Sequence, residues 1–439
     1  MPFISKEWFY ALCIFLIPLS VGLDLPGGAS ISFPGELMLA VLAGMVAFQI
    51  LLKPVNYKKI LVHPLSLLLL AEFIWMLISS VFSELPMVSI KRVIMKGIFL
   101  ASLYVFTIQW AEKDSNKIKY LFLYALGLVI PIVYSEFRHY WLGMDFLVHV
   151  SLCKPFFDEH TIYGAAIAFV IPFVAVAAGN TQLLGISKKY RIWIFALLIL
   201  LIAGEYFAYS RAGVLSLMAS LISYVFLKLN IQFKQLLIGL ACILSLTFIF
   251  RSEIYSFTKS VSYQSNSADV GEHLLSALNL DNNVSNLERV NRWKCAVRMF
   301  EARPITGFGP GTFQFVYGPF QKIDEMTRIS TTKGDKGNAH SEIFMSLSET
   351  GLPGLLLNLI LIFAVIGVAM RAYYNSKNIV AKKVVMAALL GFVTSVVHGL
   401  FNSFLDQDKI ASLVFTSMAI IVAVDLSTRE NKIADEKGL

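Results

Sequence analysis

Apolar runs long enough to cross a bilayer recur along most of this 439-residue chain. They cover roughly 8–23, 36–52, 64–83, 94–110, 118–134, 161–179, 191–208, 212–228, 233–250, 351–370, 384–404 and 410–426. A helix needs about 20 such residues to span a hydrocarbon core of about 30 Å. Composition agrees, with 57% of residues hydrophobic and 15% charged against roughly 45–50% and about 25% in a soluble domain. The mean hydropathy is +0.68. Disordered, collagenous and disulfide-scaffold classes are excluded by the same figures. The sequence predicts an all-α polytopic membrane protein of about twelve transmembrane helices, a single transmembrane domain over 1–439.

Lysine and arginine set the orientation, because they gather in short cytoplasmic loops. With the N-terminus inside, those loops hold Lys53, Lys58 and Lys59; Lys113, Lys117 and Lys119; Lys188, Lys189 and Arg191; Lys228 and Lys234; and Arg371, Lys377, Lys382 and Lys383. The opposite loops are poorer in positive charge. The first carries Asp24 and Glu36, and 135–160 sets Glu136, Asp145, Asp158 and Glu159 against Arg138 and Lys154. Lys91, Arg92 and Lys96 are the exception, basic on the wrong side. Both termini are expected inside, and the net charge of +8 reflects this loop bias rather than a nucleic-acid partner.

The first run has no small-residue cleavage site after Val21-Gly22-Leu23-Asp24 and reads as a retained span, not a signal peptide. Glu36, Glu72 and Glu205 lie within or beside spans, where an ionisable group is costly unless it faces protein or water. Cys13, Cys153, Cys242 and Cys295 form no CxxC pair, so no zinc or redox motif is present. Cys153 and Cys295 fall in external loops, where a disulfide is chemically permitted.

The segment 251–340, between spans nine and ten, breaks the pattern. A polar connection of this length is far beyond an ordinary loop and should hold structure or function. Its stretch 262–286 is rich in Ser and Asn and is expected to be mobile. In 287–302, Leu287, Val290, Trp293, Ala296, Val297 and Phe300 recur at helical spacing, which predicts an amphipathic helix with Arg289, Arg292 and Lys294 on its polar face. Pro304 stops it.

Four groups could carry chemistry. Ser210-Arg211-Ala212-Gly213 lies between spans seven and eight, where an arginine either snorkels to anchor a helix end or faces a water-filled cavity and grips phosphate with its planar fork. Arg289 and Arg292, three apart, share a helix face, which serves either as a solvated basic surface or as an anion site. His340, in Asn338-Ala339-His340-Ser341-Glu342, is suited as a neutral imidazole to take a hydroxyl proton near neutral pH, although a structural role is the simpler reading. Glu349 either orients it or caps a helix turn, and the structural role is favoured.

Two further patterns are weak. The turn Pro304…Gly307-Phe308-Gly309-Pro310-Gly311…Phe313 follows no strand and lacks a P-loop lysine. Asp406-Gln407-Asp408 spells DxD, but that pattern is short and common, and no metal site is assigned. His398 is expected to be buried in span eleven.

Taken in order, Ser210-Arg211 after an apolar span, Arg289 four residues before Trp293, the Pro304…Phe313 turn, and His340-Ser341…Glu349-Thr350-Gly351…Gly354 resemble the O-antigen ligase/polymerase superfamily. The resemblance is strongest over about 195–370. Ser341 departs from the family, which more often has Asn after the histidine. The resemblance implies a GT-C-like glycosyltransferase of the bacterial inner membrane, working on the periplasmic face without cofactor or metal. Its donor would be a glycan on undecaprenyl diphosphate and its acceptor a lipid A-core sugar hydroxyl or another lipid-linked glycan. On that reading Arg211 and Arg289 grip the diphosphate with Arg292 as helper, His340 is the general base, and Ser210 and Glu349 support the site. The periplasmic loop 251–340 would close over the reaction and exclude water.

A ligase and a polymerase need the same grip and the same base. The single large loop and twelve spans lean toward ligase. The rival from another class is a lipid-linked sugar transporter, which should show internal repeats and binding groups near the midplane; the sequence shows neither.

Overall fold

The structure is a computed structural model that describes residues 6–24, 30–111, 119–143, 151–249, 284–331 and 337–436. Its one sheet among these residues is a hairpin, Val21–Asp24 antiparallel to Ser30–Phe33. The rest is built from helices: α1 (Lys6–Leu16), α2 (Gly35–Leu52), α3 (Pro64–Val81), α4 (Pro86–Ala111), α5 (Lys119–Trp141), α6 (His160–Gly179) and α7 (Arg191–Phe207). These are followed by α8 (Arg211–Lys228), α9 (Phe233–Ile249), α10 (Val284–Ala302), α11 (Glu342–Asn375), α12 (Ile379–Gly399) and α13 (Asp408–Glu436).

Ten of these, α2–α8 and α11–α13, are long and apolar enough to cross a membrane. The first and ninth apolar runs form the shorter helices α1 and α9. The chain is an all-α polytopic membrane protein. Stretch 262–286 lies largely outside the described residues.

The span windows of α6 and α13 are 83% and 89% buried, against 22% for α2, α7 and α8, so α6 and α13 form the centre and the others face lipid. Both central helices are apolar on all sides over most of their length, as enclosure requires. Small residues at Gly164, Ala165, Ala166 and Ala168 let neighbouring backbones come close to α6.

Two of the three misplaced basic residues are explained by packing. Helix α4 begins at Pro86, earlier than the apolar run, so Arg92 and Lys96 lie inside a helix rather than in a loop. Arg92 pairs with Asp406, and Lys96 Nζ lies 3.2 Å from Glu72. Charges neutralised inside the bundle do not count toward loop asymmetry. At the opposite end, buried Asp425 accepts from Arg371 at 2.9 and 3.1 Å, from Arg429 at 2.7 Å and from His63 at 3.2 Å, tying α3, α11 and α13 together.

The segment after α10 is docked on the bundle by its main chain. Helix α11 is broken at Gly351, whose φ of +67° is left-handed; a Cβ there would sit 2.2 Å from the carbonyl oxygen of Ile305. The break admits the strap 304–309. Leu352 N–H donates to Pro304 O, Phe308 N–H to Ser348 O, and Gly309 N–H to Glu349 O, at 2.9 to 3.1 Å. Ser79 Oγ of α3 donates to Thr306 O at 2.7 Å, and Trp75 Nε1 donates to Thr350 O at 2.8 Å. A second, smaller core of Cys295, Ala296, Met299, Phe308, Phe313 and Tyr317 forms beneath α10. Cys295 and Cys153 are both free and buried, so the permitted disulfide does not form.

Candidate active site

The end of the bundle where α7 turns into α8 collects most of the residues singled out from sequence. Ser210 is the N-cap of α8, its Oγ accepting from Gly213 N–H at 3.1 Å, which satisfies one of the orphan donors of the first turn. Arg211 follows at the first helical position, half-buried, with no carboxylate partner among the described residues. Glu205, one turn back in α7, is buried, and among the described residues neither carboxylate oxygen finds a hydrogen-bond partner. It lies so close to Gly213 that a Cβ there would come within 1.8 Å of Oε1.

Helix α10 brings Arg289 beside Arg211. Burial first, and then the Arg211 charge, hold the Arg289 guanidinium below its usual range, against the opposing charge of Glu159. Among the described residues its Nε is buried without a hydrogen-bond partner, and its side chain makes one long bond, Nη1 donating to Asn286 Oδ1 at 3.4 Å. The like charge of Arg211 is unfavourable to Arg289, Glu159 offsets part of that, and a doubly charged anion would offset more.

Arg292 is placed differently from the sequence expectation of a shared face. It is buried, its Nε 3.0 Å from Glu288 Oε1, its Nη1 3.0 Å from Asn338 O, and its guanidinium over the Tyr317 ring. Burial alone would raise the Glu288 carboxyl. The hydrogen bonds from Ser330, Arg292 and Thr327, with the Arg292 charge, outweigh it and hold Glu288 below the usual carboxylate range. The packed face of α10 runs through Glu288, Asn291, Arg292, Cys295, Ala296 and Met299, while Val297, expected inside, is exposed. Ion pairing has rotated the helix away from its hydrophobic stripe.

His340 stands directly before α11 with a left-handed backbone, φ +49°, a conformation that costs about 1 kcal/mol or more for a residue with a side chain. Neighbours hold it there. His340 N–H donates to Asn338 Oδ1 at 2.9 Å, Trp293 Nε1 donates to His340 O at 3.5 Å, and Asn338 Nδ2 reaches Ser403 O at 3.1 Å. Trp293 stacks on Phe344 at 5.2 Å. Among the described residues neither imidazole nitrogen has a hydrogen-bond partner, and Nδ1 is buried. Burial, with the charges of Arg292 and Arg289, pushes the imidazole down to about 3, so it is neutral throughout the physiological range.

Glu349 does not approach His340 by any hydrogen bond. Its Oε2 accepts from Gly311 N–H at 2.8 Å and its Oε1 from Phe313 N–H at 3.0 Å. The Gly-rich turn thus turns these amides toward a carboxylate of its own chain, not toward an outside anion. Glu342, which sequence reasoning passed over, does the same for the 402–407 connection, accepting from Phe404 and Leu405 N–H at 2.7 and 2.9 Å.

The two carboxylates of the DxD part company. Asp406 pairs with Arg92, and Asp408 accepts from Ser32 Oγ at 2.7 Å and from Lys409 N–H at 2.9 Å. No group of three or more His, Cys, Asp or Glu among the described residues is arranged to hold a metal ion.

His398, expected to be buried in span eleven, is buried in the last turn of α12, with Nε2 3.4 Å from Ser210 Oγ. Its nearest sequence signal is the pair His398 and Asn402, polar residues one turn apart at the end of an apolar run. The arrangement offers two guanidiniums without an ion pair among the described residues, a neutral imidazole and a capped helix N-terminus at one end of the bundle. That set can hold a diphosphate and take a proton from a hydroxyl. Residues 196–359, from α7 into α11, match the family model described as O-Antigen ligase. No curated protein matches the chain.

Proposed function

We propose that this member of the O-antigen ligase/polymerase superfamily transfers a glycan from undecaprenyl diphosphate to a sugar hydroxyl of lipid A-core, on the periplasmic face of the bacterial inner membrane. The family implies glycosyltransferase-type ligase or polymerase activity on lipid-linked glycans in general. The observation that carries the finer reading is the placing of Arg211 near Arg289, neither in an ion pair among the described residues and the Arg289 Nε buried without a hydrogen-bond partner there, with the neutral His340 nearby.

The chemistry follows from these charges. The acceptor hydroxyl gives its proton to a ring nitrogen of His340 as its oxygen attacks the anomeric carbon of the donor. The bond from that carbon to the diphosphate oxygen breaks, and the electron pair leaves with undecaprenyl diphosphate. Arg211 and Arg289 neutralise the charge that grows on the leaving group, a task for which arginine is suited because it stays charged. Arg292, tied to Glu288, keeps α10 in place rather than touching the donor.

The test is transfer in nanodiscs with undecaprenyl-diphosphate oligosaccharide and lipid A-core, in the presence of EDTA. Glycan on the core, reduced about 10²–10³-fold or more in His340→Ala, Arg211→Ala and Arg289→Ala, is the expected result. Longer lipid-linked chains with an untouched core would make the protein a polymerase using the same site. No transfer to either acceptor, with all three variants fully functional in cells, would overturn the assignment in favour of transport.

A further inference from the structure

Behind Arg211 lies a row of polar side chains that the transfer chemistry above leaves unused. Ser210 Oγ, His398 and Asn402 are each buried to within a few per cent, at the junction of α8, α12 and the connection that follows α12. Asn402 Nδ2 lies 3.1 Å from His398 Nδ1, and His398 Nε2 lies 3.4 Å from Ser210 Oγ. Ser210 Oγ also accepts from Gly213 N–H at 3.1 Å. Ser210 caps α8 and immediately precedes Arg211, so this row adjoins the first of the two guanidiniums.

The donors and acceptors can be ordered. An amide nitrogen donates and does not accept, so His398 Nδ1 is the acceptor of the Asn402 bond. A neutral imidazole with an accepting Nδ1 carries its proton on Nε2. That proton is aimed at Ser210 Oγ. A hydroxyl has two lone pairs and one hydrogen, and here both lone pairs are addressed, one by Gly213 N–H and one by His398 Nε2–H. The Ser210 hydrogen is left to donate elsewhere. The 3.4 Å separation is long, as hydrogen bonds in ligand-free active sites often are before they tighten around substrate.

We infer that the Ser210 hydroxyl donates a hydrogen bond to the diphosphate of the lipid-linked substrate, and that His398 and Asn402 are positioning residues that turn its hydrogen toward that diphosphate. The inference rests on the diphosphate reading of the Arg211–Arg289 pair. It adds a neutral donor to two charged ones and gives a reason for an imidazole in the last turn of an apolar helix. Leu or Phe at 398 would fill the space without setting the hydroxyl.

The test measures the affinity of undecaprenyl diphosphate and the turnover of the oligosaccharide donor in nanodiscs, with melting temperature as the control for folding. Ser210→Ala and His398→Ala should each weaken diphosphate binding or turnover about tenfold, and the double variant should lose no more than either single one. His398→Gln, whose terminal N–H2 reaches the position of Nε2–H, should recover most of the loss. His398→Asn, which is shorter, should not. Additive losses in the double variant, or equal behaviour of the Gln and Asn variants, would overturn the inference and leave His398 as packing. A wild type that transfers glycan and loses activity in Arg211→Ala, while His398→Ala matches wild type in binding and turnover, would overturn this inference alone. Failure of the wild type to bind undecaprenyl diphosphate would overturn the diphosphate reading and this inference with it.

Discussion

Glu349 Oε2 accepts a hydrogen bond at 2.8 Å from the main-chain N–H of Gly311, joining the second turn of α11 to the Gly-rich turn that follows α10. The other carboxylate oxygen holds Phe313 N–H. One side chain thus sets where the strap lies, and through the strap where α10 and Arg289 sit relative to Arg211.

Removing that carboxylate should loosen the strap before it disturbs the bundle. Glu349→Ala leaves two buried N–H groups unanswered, at a cost of about 2–3 kcal/mol. Glu349→Gln, with one acceptor oxygen, should fall between. The expected readout is faster protease cleavage within 303–331, with a lowered melting temperature and reduced transfer. Unchanged protease resistance in Glu349→Ala would contradict the role assigned to the carboxylate.

The pH dependence of the reaction should lack the usual histidine limb. Burial and the Arg292 and Arg289 charges hold His340 down to about 3, so the free enzyme keeps a neutral base far below pH 6.5. kcat/KM reports the free enzyme and should stay level from about pH 8 to about pH 5. The linked stability runs the same way. The unfolded chain takes up a proton below about pH 6.5 that the folded site refuses, so this contribution is complete above pH 6.5 and declines as pH falls toward 3. An acid limb in kcat/KM near 6.5 that disappears in a His340 variant would refute the assignment.

Arg289 and Arg292 should separate in kinetics although they share a helix. Arg292→Ala strands the buried carboxylate of Glu288, which costs about 3–5 kcal/mol, and protein that survives should keep its donor KM. Arg289→Ala should do the reverse, weakening donor use with little change in melting temperature. The Glu288 contribution has its own pH window. A carboxyl held below its usual range stabilises at neutral pH and loses that contribution as pH falls through its lowered value. Equal donor defects in the two variants would return Arg292 to the diphosphate.

The opposite end of the bundle offers a control for stability without chemistry. Asp425→Ala removes the acceptor shared by Arg371, Arg429 and His63 and leaves cations around an empty centre. A loss of about 3–5 kcal/mol is expected, seen as a lower melting temperature in detergent. Turnover per folded molecule should match wild type, and a selective loss of turnover would show that α13 couples this end to the site.

The apolar runs by themselves marked ten of the spans, because burial in lipid is a property of a segment's own residues and needs no partner to be read. They also placed Arg211 at a helix start and His340 ahead of another, since both lie where an apolar run meets a polar one. The helical spacing of 287–302 predicted a helix, and one formed over Val284–Ala302. Its spacing misjudged the buried face, because the Glu288–Arg292 pair and Asn291 carry as much of the packing as the apolar residues do.

Tertiary structure decided what each polar group meets. Arg92 finds Asp406, Glu349 finds Gly311 and Phe313, and His398 finds Ser210, each across a long separation in the chain. Helical periodicity says which way a side chain leaves its own axis. The hydrogen bond or ion pair it then makes depends on which other helix ends lie within about 3 Å, and that is settled by how the spans pack against one another.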